Sequence, residues 1–273
     1  MVYKLVVSML CPFTPITMSD SPNLLETLDY LVDFLRDETE TLRQCCLISK
    51  AWIPCTRKRL FATVKFLTSD HIEKWKKAFP DPSKSPAHYT HTLRVKCTGA
   101  IATADAAEGG WILAFSHVVC LEVYDRIGPA FAPFHAFSHT VKSLTVVSIA
   151  FSLLDLWNLI VSLPLLENLT LFCGDGLIPN LETVNTATFP PALTGTLDLQ
   201  MASERMSTGA VDLLVKKLPN GLHFRKFNLD WDRTSHFGCV MKLVEACSDT
   251  LEYLDLDYSP QCEVYSGFCR ICH

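Results

Sequence analysis

The sequence predicts an α/β chain in two parts: a short three-helix module, then an irregular solenoid with parallel strands on its concave face and helices on its convex face. Three observations lead there. Leu24, Leu28, Leu31 and Leu35 fall at i, i+4, i+7 and i+11, which puts them on one face of a helix. From residue 61 onward, one apolar spacing, LxxLxL, recurs eight times. The best helical stretches between copies, 152–163 and 209–218, are each stopped by a proline, Pro164 and Pro219, just before the next strand.

The copies are Phe61/Val64/Phe66, Thr90/Leu93/Val95, Val118/Leu121/Val123, Val141/Leu144/Val146, Leu166/Leu169/Leu171, Thr194/Leu197/Leu199, Phe224/Phe227/Leu229 and Leu251/Leu254/Leu256. Their first positions are 29, 28, 23, 25, 28, 30 and 27 residues apart, in or beside the period of leucine-rich repeats. In a chain that is 49% hydrophobic, single matches arise by chance. The weight therefore rests on the near-regular interval and on leucine at the middle position in six of the eight copies. A strand, a turn, a helix and a return in about 27 residues stack strands in parallel, and each unit needs a neighbour to cover its apolar flank.

In the module, Asp37 and Glu40 resemble a capping box opening a second helix. That helix carries Leu42, Cys45, Cys46, Leu47 and Trp52 before Pro54 interrupts it, and a third helix is expected from Cys55 to Leu60. The domain reading is a disordered leader over 1–19, a helical module over 20–60, a repeat solenoid over 61–258 and an irregular tail over 259–273. Met18 is an alternative start.

Charge and cysteine usage narrow the function classes. With 24 Lys+Arg against 29 Asp+Glu the chain is mildly acidic, which argues against a broad phosphate-binding face and so against nucleic acid. Arg57-Lys58-Arg59 and Lys74, Lys76 and Lys77 read as solvated faces. The 12 cysteines are spread singly through apolar patterns, apart from Cys45-Cys46. They read as buried thiols of a reduced, intracellular protein. The first residues imitate a signal peptide only weakly, and no apolar run approaches a membrane span, so a soluble chain is expected.

The stretch LLETLDYLVDFLRDETETLRQCCLISKAWIPCTRKRLFATVKF, followed by DHIEKWKKAFPDPSKSPAHYTHTLRV, resembles an F-box joined to degenerate leucine-rich repeats. The style is that of the large F-box families of mushroom-forming fungi. LDYLVDFL looks like the first F-box helix, and TLRQCCLISKAW like the helix that ends in the family's tryptophan, here Trp52. Two features depart from the pattern. Asn23-Leu24 stands where a Leu-Pro pair usually opens the motif, and the Asn or Cys that follows each strand is replaced by Thr98, Arg126, Ile149, Gly174, Ala202, Asp232 and Ser259.

The resemblance implies a substrate-recognition subunit that docks a Skp-family adaptor, and through it a cullin-RING ubiquitin ligase, while the repeats hold a protein substrate. Catalysis is then by proximity, with no cofactor and no bond chemistry in this chain. The expected adaptor contacts are Leu24, Leu28, Leu31, Phe34, Leu35, Leu42, Leu47 and Trp52, each of which also suits internal packing of the module. One alternative is a repeat scaffold that recruits no ligase. Another is a small α/β hydrolase with a non-motif active site.

Other signals are weaker. The C-terminal CRICH matches a haem-attachment spacing, but without an export signal haem is rejected. Zinc on Cys262, Cys269, Cys272 and His273 has unusual spacing, and no metal is expected. No G-x-S-x-G elbow or phosphate loop is present, and Gly174-Asp175-Gly176 reads as a turn. His135 and His139 lie at i, i+4 without a carboxylate between them. Trp111, Trp157 and Trp231 are candidate anchors, with Trp157 reading as core. Trp231, together with Asp198, Asp230, Asp255 and Asp257, is expected to form an acidic, aromatic rim on the concave face that favours a basic substrate segment.

Overall fold

The structure, a computed structural model, describes residues 22–35, 38–48, 50–96, 111–124, 134–148, 153–173, 193–201, 211–216, 218, 222–231 and 237–258. The expected leader and tail, the post-strand positions from Thr98 to Ser259, the Gly174 turn and the Cys262–His273 set lie outside these residues. The chain divides into two compact units, Met1–Leu60 and Phe61–His273.

The first unit contains α1 (Pro22–Phe34), α2 (Thr39–Ile48), a single 3-10 turn (Lys50–Trp52) and α3 (Ile53–Leu60). Its core is Leu28, Val32, Leu35, Leu42, Cys45, Trp52 and Cys55. Leu28, Val32 and Leu35 follow the i, i+4, i+7 spacing of one helix face. The expected stripe therefore shifts by one residue: Val32 is 1% exposed, whereas Leu31 is 41% exposed. Pro54 enters the first turn of α3, where its missing N–H costs no helical hydrogen bond. Asp37 of the expected capping box lies outside the described residues, and Glu40 stands in the first turn of α2. Its carboxylate accepts from Gln44 Nε2 at 3.0 Å and from Arg43 Nη1 at 3.5 Å, one turn forward along α2. Buried Thr56 Oγ1 donates to the carbonyl of Trp52 at 2.7 Å and ties α3 to the turn before it.

The second unit is one eight-stranded parallel sheet in chain order, from β1 to β8. The strands are β1 (Thr63–Phe66), β2 (Thr92–Val95), β3 (Cys120–Val123), β4 (Ser143–Ser148), β5 (Asn168–Cys173), β6 (Thr196–Met201), β7 (Lys226–Trp231) and β8 (Tyr253–Tyr258). Register joins the middle positions of all eight copies into one row, Val64, Leu93, Leu121, Leu144, Leu169, Leu197, Phe227 and Leu254. The last positions, from Phe66 to Leu256, form the second row. Side chains alternate across a strand, so both rows face the same way. In β1 to β7 they are buried in one core with Ile72 of α4 (Ser69–Ala78), Leu156, Trp157 and Ile160 of α5 (Leu153–Val161), Leu213 and Leu214 of the helical segment 211–216, and Val240 and Leu243 of α6 (Phe237–Ala246). This is a sheet layer and a helix layer with the apolar core between them, the arrangement of a solenoid-like α/β fold.

A repeated backbone device holds the register. The carbonyl just after each first position accepts two N–H groups from the next copy: Lys142 O from Glu167 and Asn168 at 2.8 and 2.9 Å, and Arg225 O from Glu252 and Tyr253 at 2.8 and 3.0 Å. The sixth copy departs from this pattern and corrects the sequence reading. Thr194 is exposed, and buried Leu193 fills the first core position with a left-handed φ of 45°. Gly195 N–H donates to Glu167 O at 3.0 Å, while Thr196 N–H donates to the side-chain Oδ1 of Asn168 at 2.8 Å. A Cβ on residue 195 would collide with that amide oxygen, which explains the glycine.

Candidate functional site

The expected adaptor residues separate into two sets. Leu28, Leu35, Leu42 and Trp52 are buried in the module's own core, so packing, not contact with a partner, accounts for them. Leu31, Phe34 and Leu47 are exposed, Phe34 at 81% and Leu47 at 79%. The side chain of Leu24 lies outside the described set. Two further large apolar side chains missing from the sequence reading, Tyr30 and Ile48, are also exposed. The signal for Tyr30 was present: Tyr30 and Phe34 are i, i+4, and Leu31 and Phe34 are i, i+3, with Tyr30 turned away from Leu28 and Val32 and Leu31 at the border of the buried stripe. The clue to Ile48 is weaker, because α2 ends there.

Polar groups around these side chains are paired. Arg59 forms an ion pair with Asp33 of α1. The Glu40 carboxyl is held below the ordinary glutamate range, chiefly by the Gln44 amide, with Arg43 adding to it. The thiols behave as core groups. Burial, then the neighbouring Cys46, pushes Cys45 up; burial, then Asp29, does the same for Cys55. Burial raises Cys247 to about 11. Such thiols stay protonated near neutral pH and are poor nucleophiles.

The sheet face turned away from the core presents two further register rows. One runs Lys65, Arg94, Glu122, Thr145, Thr170, Asp198, Asn228 and Asp255, and the next runs Val147, Phe172, Gln200, Asp230 and Asp257. By strand position Lys65 and Arg94 stand on the first two strands, and Asp198, Asp230, Asp255 and Asp257 on the last three, where exposed Lys226 of β7 shares the same alternation step. Arg94 Nε lies 2.7 Å from Glu122 Oε2, which also accepts from Tyr124 Oη at 2.8 Å. Half-buried Val147 and Phe172 lie between the two ends.

Of the expected rim, the backbone register puts the positions of Asp198 and Asp255 in one row and those of Asp230 and Asp257 in the next, and the side chains of Asp230, Trp231 and Asp257 lie outside the described set. Trp231 pairs with Met201 and Tyr258, on the alternation step of Leu229. The sequence reading placed it beside Asp230 without applying the period of two. Trp111 and Trp157 are buried, so neither is an exposed anchor. Trp111 packs edge-on against Phe66 and Phe115 at 5.6 and 6.0 Å. Both His135 and His139 are exposed, and no group of three or more His, Cys, Asp or Glu side chains among the described residues is arranged to hold a metal ion. Among the described residues, no helix is long and apolar enough to cross a membrane.

Comparison with family models, with characterised proteins and with solved structures finds no match to this chain.

Proposed function

We propose that the chain is a non-catalytic recognition subunit of a Skp-cullin-F-box type ubiquitin ligase. Its N-terminal helices act as an F-box that docks a Skp-family adaptor. The strand-and-helix unit is an irregular leucine-rich-repeat solenoid that holds a protein substrate on the outward sheet face, where Asp198, Asp230, Asp255 and Asp257 suit a basic segment. The chain contributes proximity, and the bond chemistry belongs to the partners. It works inside the cell, where the adaptor is found.

The observation that carries this reading is the exposure of Tyr30, Leu31 and Phe34 on α1 and of Leu47 and Ile48 at the end of α2, on a module that already has a core of its own. Burying one such side chain is worth about 1.5–3 kcal/mol, so large apolar side chains left in solvent on a small module suit contact with a partner.

Co-expression of the chain with a Skp-family adaptor tests it. The expected outcome is a stable complex that is lost in a Phe34→Glu, Leu47→Glu double variant, with helix content and melting temperature unchanged because both side chains are solvent-facing in the free chain. No complex with the parent chain would leave the scaffold reading, in which the helices recruit no ligase.

A further inference from the structure

We propose that the outward face of the first three strands binds an acidic protein segment, with a Glu or Asp carboxylate seated between Lys65 and Arg94. This rests on the outward sheet face as the substrate face and is independent of adaptor docking by the N-terminal helices.

Register sets Lys65, Arg94 and Glu122 side by side on β1, β2 and β3. All three stand on the outward step, because the residues on either side of each one along its strand are buried in the core. Exposed Lys96 follows Arg94 by two residues and half-buried Tyr124 follows Glu122 by two, so they keep the same step. Among the described residues this corner of the sheet carries three cations, Lys65, Arg94 and Lys96, against one carboxylate.

That carboxylate is already engaged. Glu122 Oε2 lies 2.7 Å from Arg94 Nε and accepts from Tyr124 Oη at 2.8 Å. The Glu122 side chain is 16% exposed and that of Arg94 39%, so the cation is the more accessible partner. Contact through Nε orients the guanidinium and leaves Nη donors for a second carboxylate. Lys65 is exposed on the neighbouring strand, about 4.8 Å away along the row, and makes no ion pair among the described residues.

The positive excess has no described counterweight nearby. On the same face β4 and β5 carry Ser143, Thr145, Val147, Asn168, Thr170 and Phe172, all uncharged. Lys142 and Glu167, at the turns into these strands, pair with each other at 2.9 Å. Asp198 of β6 is three strands beyond Glu122, about 14 Å, which exceeds the screening length of about 8 Å at physiological salt. Lys226 and Asp255 lie farther still along the sheet. The occupant is a protein segment and not a bare anion, because apolar surface borders the cations. Leu67, just after β1, is 41% exposed, and the Tyr124 ring is half in solvent, so apolar residues flanking the acid gain burial there.

The test is fluorescence polarisation of the full chain with a labelled Ser-Leu-Glu-Glu-Leu-Ser peptide, its Gln counterpart and its Lys counterpart. Saturable binding of the Glu peptide is expected, about tenfold tighter than either counterpart and weaker as salt rises from about 50 to about 500 mM. Lys65→Glu should lower the affinity about tenfold and Lys65→Met about threefold. Both variants change an exposed side chain, so the melting temperature should hold. Lys226→Glu, the same reversal on β7, should leave binding within about twofold. No saturable binding, equal binding of the Gln or Lys peptide, unchanged binding by Lys65→Glu, or an equal loss in Lys226→Glu would overturn the proposal. Adaptor capture is measured on the same proteins. Its absence from the parent chain with peptide binding intact would fail the ligase reading alone, and its retention without peptide binding would fail this proposal alone.

Discussion

Leu31 and Val32 are neighbours of similar hydrophobicity with opposite fates, because one helical step of about 100° carries a side chain from one face of α1 to the other. Val32→Ala should cost about 1–3 kcal/mol of stability by denaturant unfolding, through lost burial and the space left behind. Leu31→Ala should change it by less than about 0.5 kcal/mol. Equal losses would mean that the exposed face is packed after all. Gly195 is the other position where one atom decides. Gly195→Ala should destabilise by more than about 1 kcal/mol, since the new methyl meets Asn168 Oδ1. In an Asn168→Ala background the added cost of Gly195→Ala should shrink, because the colliding oxygen is gone, and a double-mutant cycle reads that coupling directly. Of these residues the sequence reading placed only Leu31 in the buried stripe, and Val32 takes that place instead. The Asn168–Gly195 contact joins residues in two copies and depends on a local backbone turn that no spacing rule encodes.

The strands were the most readable elements, because a period of two combined with a repeat of about 27 residues leaves little freedom in how they pair. Errors arose where one residue of slip matters. In the sixth copy Leu193, not Thr194, turns inward. Trp231 was read by its neighbours in sequence and not by its step along β7. Helix α5 and the segment 211–216 lie within the expected stretches, as their apolar periodicity and proline stops require. The ties between helices were not readable. Asp212 accepts from Lys216 within its own segment and from Lys242 of α6, both at 3.1 Å. Burial opposes ionisation of Asp212, yet hydrogen bonds from Lys242 and Lys216 outweigh it and hold the carboxyl below the ordinary aspartate value. A lowered folded-state pKa gives stability that is present above the unfolded value and lost as pH falls through the folded one. Asp212→Asn should therefore lower stability at pH 7 and flatten the loss of stability on acidification below about pH 4, as measured by thermal melts across pH. A parallel acid profile for parent and variant would show that the tie carries no weight.

At the scale of the whole chain, two compact units divide the work of recognition in the reading proposed here. The N-terminal helices keep part of their apolar surface for a partner, and the sheet unit carries its binding groups on the outward face. How much of this a sequence can reveal follows from the physics of each feature. Burial of regularly spaced leucines is periodic, so the stack could be anticipated. Which apolar residues remain in solvent depends on what packs opposite them, so the exposure of Ile48, Leu254 and Leu256 could not. Stability in such an array comes from each copy covering the flank of the one before it, which makes strand order the premise of the account. The most direct test is a set of spin-label distances from residues of the outward row, attached through unnatural amino acids so that the native cysteines stay untouched. With neighbouring strands about 4.8 Å apart, separations from a label at residue 145 should increase in order to 228 and then to 255, at about 14 and 19 Å. The pair 65 and 255 should be the farthest apart, at about 34 Å. A label at 255 lying as close to 65 as to 145, or separations that do not grow with strand number, would contradict the ordered stack.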